Sequence, residues 1–313
     1  MSFRFITLDV FTSVPFGGNQ LAVFPDARAI PEASLLAIAR EFNYPETTFC
    51  YPPENPAHSA RVRIFTPGGE VPFAGHPTVG TAIVLFSGMQ QARAAGGAPL
   101  AEARLVLEEK VGPVPVTVRA PAGDTPYAQF SVAKLPEIGP TAPTRETLAG
   151  ILSLDPDDIL ATPMGPQAVS CGLPFLMVPV RNAKALGRCR VRIEQWEATL
   201  KSSWAPDLFV FTRDGDDGST HFRARCFVPS LSVMEDPATG SANACLAGYL
   251  AARAPARDGT LTWTVDQGIE MERASRLEIE ADKVAGVITA IRVGGRAVLV
   301  SEGTMRQPDA AAG

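Results

Sequence analysis

An imidazole, a carboxylate and a hydroxyl stand at two similar turns of this chain. The first turn reads Ala74-Gly75-His76-Pro77-Thr78, the second Asp236-Pro237-Ala238-Thr239-Gly240-Ser241. Each opens a stretch of small and apolar residues, the pattern of a helix wrapped by other structure. A helix start presents free N–H groups and a partial positive charge. Two such starts facing one cleft would hold a small carboxylate or similar anion, with Gly75 and Gly240 permitting close backbone approach. His76 or Asp236 could polarise the bound molecule, and Asp236 beside His76 would keep the imidazole oriented. Each residue also has a plain structural use. His76 can be a helix-cap histidine, Gly240-Ser241 can cap a helix, and Asp236 can be an N-terminal cap, a role compatible with catalysis.

The two turns belong to an internal repeat. Arg61, Arg63, Phe65 and Pro67 recur as Arg223, Arg225, Phe227 and Pro229, all shifted by 162 residues, and Val14-Pro15-Phe16 is matched by Leu173-Pro174-Phe175. On this offset residues 65–86 and 227–248 are copies of one unit. Two copies facing each other form a cleft, where ionisable groups are the first place to look for chemistry.

Composition narrows the class. The 313 residues are enough for two ordinary domains, and the 46% apolar and 19% charged shares are those of a globular protein. A net charge of −5 leaves no basic footprint for nucleic acid or an acidic membrane surface. The five cysteines are odd in number and lack CxxC spacing, which fits a reduced, cytoplasmic protein. No long apolar run suggests a membrane span or a leader. Three histidines, His58, His76 and His221, suggest no His-based metal site, and carboxylate ligation stays open. With no metal cluster in the sequence and no GxGxxG after a strand, neither a metal nor a dinucleotide cofactor is expected.

The elements that would position these residues follow from periodicity. A strand is expected at Phe3–Phe11 and a helix from Pro31, its apolar residues Leu35, Leu36, Ile38, Ala39 and Phe42 on one face. Strands follow at Thr47–Tyr51 and Ala60–Phe65, then a helix in Pro77–Phe86, wrapped by strands at Arg104–Glu108, Pro113–Arg119 and Ala128–Val132. The second half repeats this order around a helix at Ser241–Arg253, with separate closing strands at Val287–Val293 and Ala297–Val300. Arg61, Arg63, Arg223 and Arg225 are placed on outer strand faces. Cys245 is placed in the core. Asn19 and Gln20 could line the cleft, or Asn19 could sit in the Gly17-Gly18 turn. The domains are 1–130, joined by a final strand near 296–304, and 131–295, with a disordered tail at 307–313.

Several strings together resemble the phenazine-biosynthesis PhzF-like family. They are Gly18-Asn19-Gln20-Leu21-Ala22-Val23, Pro45-Glu46-Thr47-Thr48-Phe49, Phe65-Thr66-Pro67-Gly68-Gly69-Glu70-Val71-Pro72-Phe73-Ala74-Gly75-His76-Pro77-Thr78-Val79-Gly80, Gly172-Leu173-Pro174-Phe175 and Glu235-Asp236-Pro237-Ala238-Thr239-Gly240-Ser241-Ala242. The resemblance runs through nearly the whole chain. It implies an α+β protein with the diaminopimelate-epimerase-like fold: two pseudo-symmetric halves, each a central apolar helix wrapped by a mainly antiparallel sheet.

The resemblance also implies roles. Related racemases and epimerases use one cysteine from each half; here the matched positions hold Ala74 and Asp236, so two-cysteine racemisation is not expected. The family pattern supplies Glu46 as the proton-transferring group, which on its own would be a surface charge at a strand start. His76, Asp236 and Ser241 are its expected catalytic partners, and Asn19, Gly75 and Gly240 its expected substrate contacts. A carboxylate in a closing, water-poor cleft holds its proton more tightly, so it can take a proton from one carbon and return it to another near neutral pH. The implied protein is a cofactor-independent isomerase of a small anionic metabolite, active as a homodimer. The alternatives are an amino-acid epimerase or racemase using the same cleft, and a non-enzymatic binding member of the family.

Overall fold

The computed structural model describes residues 2–93, 100–121, 123–214, 219–231 and 233–306. The expected tail at 307–313 lies outside them. The chain divides into two compact units, one formed by residues up to Ser131 and from Gly294 onward, the other by Val132–Val293.

In the first unit the elements run β1 (Ser2–Val10), β2 (Asn19–Phe24), α1 (Leu35–Phe42), β3 (Glu46–Tyr51), β4 (Ala60–Thr66), β5 (Gly69–Val71), α2 (Gly75–Arg93), β6 (Glu102–Glu109), β7 (Gly112–Arg119) and β8 (Tyr127–Ser131). Neighbouring strands pair antiparallel except at two places: β2 runs parallel to β3, and β4 parallel to β6. Helix α2 is apolar on every side, and its first ten residues are buried. It packs against β1, β2, β3, β6, β7 and β8. Close approach depends on Gly80, where a Cβ would fall 2.5 Å from a Leu21 methyl. The outer side of β3 and β4 is covered by α1, through Leu35, Ile38 and Ala39 against Phe24, Phe49 and Phe65.

The second unit holds β9 (Glu137–Ile138), α3 (Arg145–Leu152), β10 (Gln167–Ser170), β11 (Pro174–Pro179), α4 (Ala183–Arg188), α5 (Ile193–Thr199), β12 (Asp207–Arg213), β13 (His221–Val228), β14 (Val233–Asp236), α6 (Gly240–Arg253), β15 (Gly259–Gln267), β16 (Ser275–Val284) and the start of β17 (Val287–Arg306). Its pairing repeats that of the first unit. It is antiparallel apart from β11 with β12 and β13 with β15. Its central helix, α6, is again buried on nearly all faces and packs on β10, β11, β15 and β16. Three short helices, α3, α4 and α5, cover the outer face of β11 and β12 through Leu148, Ile151, Leu186 and Trp196. The protein is thus α+β in the diaminopimelate-epimerase-like manner, each unit a central apolar helix wrapped by mainly antiparallel strands.

Two expectations need correction. The two closing strands are one: β17 runs unbroken through Gly294-Gly295 and pairs with β1 from Ala297 to Arg306. Gly294 makes room within the strand, since a Cβ there would lie 2.3 Å from the Tyr127 hydroxyl. The offset of 162 holds through β13 but not beyond it, because α2 starts at Gly75 and α6 at Gly240, a shift of 165. His76 and Ser241 therefore share the second helical position, and Asp236 ends β14 four residues before its helix. Arg225 lies on the outer strand face, as expected, but that face is covered. It is 4% exposed, grips Glu235 with two nitrogens and donates to the Leu186 and Cys189 carbonyls, because α4 covers that side of the strand. Its counterpart Arg63 holds Glu70 in the same two-pronged way and is only partly covered.

Candidate active site

Glu46 owes its place to the parallel pairing of β2 and β3. It is the first residue of β3 and sits opposite Leu21, so the head of β2, Asn19-Gln20, lies beside it. Asn19 is fully buried as the first residue of β2 and is not the turn residue; the positive φ of that turn falls on Gly18. Thr48, two residues into β3, meets Thr81 of α2 hydroxyl to hydroxyl at 2.8 Å and ties strand to helix.

His76 comes from the first turn of α2. Its Nε2 lies 3.2 Å from the Gln20 carbonyl and 3.2 Å from Glu46 Oε2. A carbonyl can only accept, so Nε2 carries the proton. The imidazole is 4% exposed, and burial pulls its pKa down to about 3, against the opposing hydrogen bond to Gln20. His76 is therefore neutral near pH 7. That matters for Glu46. A cationic neighbour favours a carboxylate's charged form and weakens it as a base, whereas a neutral imidazole offers only the positive end of an N–H dipole. The Nε2–H is held by the Gln20 carbonyl, and its contact with Glu46 leaves the carboxylate's charge unlocked.

In the second unit the turn before α6 is held from the end of β15. Gln267, fully buried, donates to the Asp236 carbonyl at 2.8 Å and to the Thr239 hydroxyl at 3.0 Å, and accepts from Thr239 N and from Asn243. The Thr239 hydroxyl in turn donates to the Asp236 carboxylate. Thr239 is the residue before α6, yet its side chain caps nothing. Its hydroxyl is spent on orienting Asp236, so the N–H groups of Ser241 and Ala242 are left without that cap. Gly75 and Gly240 are both buried first residues of their helices, and Ser241 is partly exposed at the second position.

Asp207, the first residue of β12 and the positional counterpart of Glu46, has a structural job. It accepts from Ser230 N at 3.1 Å and from the Ser230 hydroxyl at 2.6 Å, and burial raises its pKa. Sequence reading offered Gln20 only as a side chain lining the cleft and did not single out Thr239 or Gln267. Gln20 acts through its carbonyl, which side-chain identity does not reveal, and Gln267 lies far from Asp236 in sequence. Among the described residues no three His, Cys, Asp or Glu side chains converge as a metal-binding group. No helix among them is long and apolar enough to cross a membrane.

Architecture and relatives together define an isomerase. An uncharacterized isomerase of Mesorhizobium japonicum is 39% identical over 96% of this chain and 98% of its own length. The trans-2,3-dihydro-3-hydroxyanthranilate isomerase of Pseudomonas fluorescens is 32% identical over 96% and 99%. The crystal structure of a Bacillus anthracis phenazine biosynthesis protein of the PhzF family superposes with a TM-score of 0.84 at 25% identity, covering 98% of this chain and 99% of that one. The model of the phenazine biosynthesis-like protein family matches residues 8–303, and the chain belongs to that family.

Proposed function

We propose that this isomerase moves a proton between carbons of a small unsaturated carboxylic acid by general acid/base catalysis, with Glu46 as the carrier and no cofactor. The observation that carries this reading is the contact of Glu46 with a neutral, proton-bearing His76 Nε2 at 3.2 Å. In this reading Glu46 takes the proton from one carbon and delivers it to another, and His76 keeps the carboxylate aimed. Asp236, oriented through Thr239 and Gln267, polarises the substrate by hydrogen bonding, and the Ser241 hydroxyl assists. The first N–H groups at Gly75 and Gly240 suit the substrate carboxylate, because a helix start favours an anion. Asn19, buried beside Glu46 at the head of β2, helps shape that end of the site.

The curated relative from Pseudomonas fluorescens acts on trans-2,3-dihydro-3-hydroxyanthranilate, a cyclic, hydroxylated, unsaturated amino acid. A substrate of that class suits one acidic group working on one face. The test is turnover of this compound by the purified protein in D₂O, followed by mass spectrometry. A rearranged product, formed by the wild type and not by Glu46→Gln, is expected. Equal product from both proteins would remove Glu46 from the reaction.

A further inference from the structure

The same pair of buried contacts recurs at the start of both central helices. In the second unit Asn243, the fourth residue of α6, donates through Nδ2 to the Thr239 carbonyl at 3.0 Å and to Gln267 Oε1 at 2.9 Å. In the first unit Thr78, the fourth residue of α2, has its hydroxyl 2.8 Å from the Ala74 carbonyl and 2.6 Å from Glu109 Oε1. Gln267 is the last residue of β15, which runs parallel to β13; Glu109 is the last residue of β6, which runs parallel to β4. All four side chains are buried.

The proton count separates the two cases. The Asn243 amide has two N–H groups and serves both acceptors. Thr78 has one O–H, so it can satisfy both of its neighbours only if Glu109 supplies a second proton. Burial points the same way, because loss of solvation pushes the Glu109 carboxyl up to about 8, against the opposing hydrogen bond from Thr78. Its Oε2 is buried and has no hydrogen-bond partner among the described residues, a setting in which a full negative charge is costly. The charged and titratable groups on the surrounding elements include His76 on α2, Arg61 and Arg63 on β4, Glu70 on β5, Arg119 on β7, and Glu108 and Lys110 on either side of Glu109. His76 is neutral, Glu108 is held by His58, and Glu70 is held by Arg63 with Lys110 3.9 Å away. None of them contributes to the shift at Glu109.

We propose that Glu109 and Gln267 are equivalent positioning residues, each latching the first turn of its unit's central helix, and that Glu109 does so as an uncharged carboxylic acid. The latch on α2 spans Ala74 to Thr78 and so fixes Gly75 and His76. A second tie, from Val111 N to the Pro72 carbonyl at 3.0 Å, holds the approach to the same turn. Ionisation of Glu109 removes the shared proton and loosens the turn that carries His76. Gln267 cannot ionise, so only the first unit responds to alkali. The proposal concerns helix-start geometry and stands apart from the identity of the substrate.

The test compares wild type, Glu109→Gln and Glu109→Ala by infrared spectroscopy and by imidazole NMR between pH 6 and 10. With three histidines in the chain, the His76 resonances are assigned by substitution. Because its own protonation lies far below this range, a shift in its signals reports its surroundings. The wild type should show a protonated-carboxyl band at pH 7 that Glu109→Gln lacks, and its His76 signals should step as that band disappears. Glu109→Gln should keep the neutral-pH His76 signals and lose the step; Glu109→Ala should displace them throughout. The proposal is overturned if Glu109→Gln takes no intensity from the band, or if the band is missing from the wild type. It is equally overturned if the step persists without Glu109, or if Glu109→Gln displaces His76 at pH 7. Should Glu109→Ala fail to fold, the wild type and Glu109→Gln decide the matter alone.

Discussion

His76 Nε2 stands 3.2 Å from Glu46 Oε2, and the same nitrogen is tied to the Gln20 carbonyl. Three elements meet in this contact: the head of β2, the head of β3 and the first turn of α2. The parallel register of β2 and β3 brings the first two together, and the buried helix supplies the third. His76→Phe keeps the bulk of the ring and removes the N–H. Its expected cost is about 10²-fold in turnover, the scale on which small misplacements of a reacting group are felt. Steady-state kinetics check this, and a change within a few-fold would mean His76 does not position Glu46.

The buried imidazole also predicts a pH effect on stability. Its folded pKa, about 3, lies below the ordinary value of 6.5. Between those values the unfolded chain binds the proton and the folded one does not. Stability from this group is complete above about pH 6.5 and is lost as pH falls toward 3. Urea denaturation at pH 7 and pH 5 should show a smaller drop for His76→Phe than for wild type. Parallel drops would mean that His76 is solvated or protonated in the folded protein.

Gln267→Leu should weaken the second unit. It removes the Gln267 contacts of the Asp236 carbonyl, Thr239 N, the Thr239 hydroxyl and the Asn243 amide, of which the hydroxyl keeps Asp236 and the amide keeps the Thr239 carbonyl. Each buried unpaired group costs about 1–3 kcal/mol before relaxation, so a net loss of about 3 kcal/mol is expected. Because the Thr239 hydroxyl orients Asp236, kcat should fall as well. Denaturant midpoints measured beside kcat separate the two effects, and an unchanged kcat in a destabilised variant would confine Gln267 to a structural role.

Gly80→Val tests the packing of α2. The added atoms meet Leu21 and Val10, which already fill the space between helix and strand. Overpacking of this kind costs about 1–3 kcal/mol, and calorimetry should find a lower Tm. A variant as stable as wild type would mean that the helix is not in close contact with β1 and β2.

Much of this architecture is legible in the sequence because the repeat is written in side chains that pack. Arg63 and Arg225, and Phe65 and Phe227, keep their spacing, since the strands they sit on pair alike, and an apolar helix follows each pair. Past β13 the spacing shifts by three, because the second unit needs a longer link before α6, and Asp236 falls at a strand end where the constant offset had put a helix start. Glu109 and Gln267 escaped the repeat for two reasons. They are 158 residues apart, so unequal loops break the register, and they differ in chemical type. What unites them is a proton count at a buried threonine and a buried asparagine, which spacing does not carry. Glu46 was legible only through its motif. Nothing about a lone glutamate at a strand start announces the histidine that folds against it.

The central claim is that Glu46 carries the proton, and Glu46→Gln tests it most directly. The amide keeps the shape of the side chain and its hydrogen bonding but cannot take up and return a proton at neutral pH. General acid/base groups contribute about 10²–10⁴-fold, so kcat on trans-2,3-dihydro-3-hydroxyanthranilate, or another substrate found for the wild type, should drop by at least that factor. KM should change little, because the lost interaction belongs to the transition state. A Glu46→Gln enzyme that turns over within a few-fold of wild type would contradict the account and pass the proton to another group.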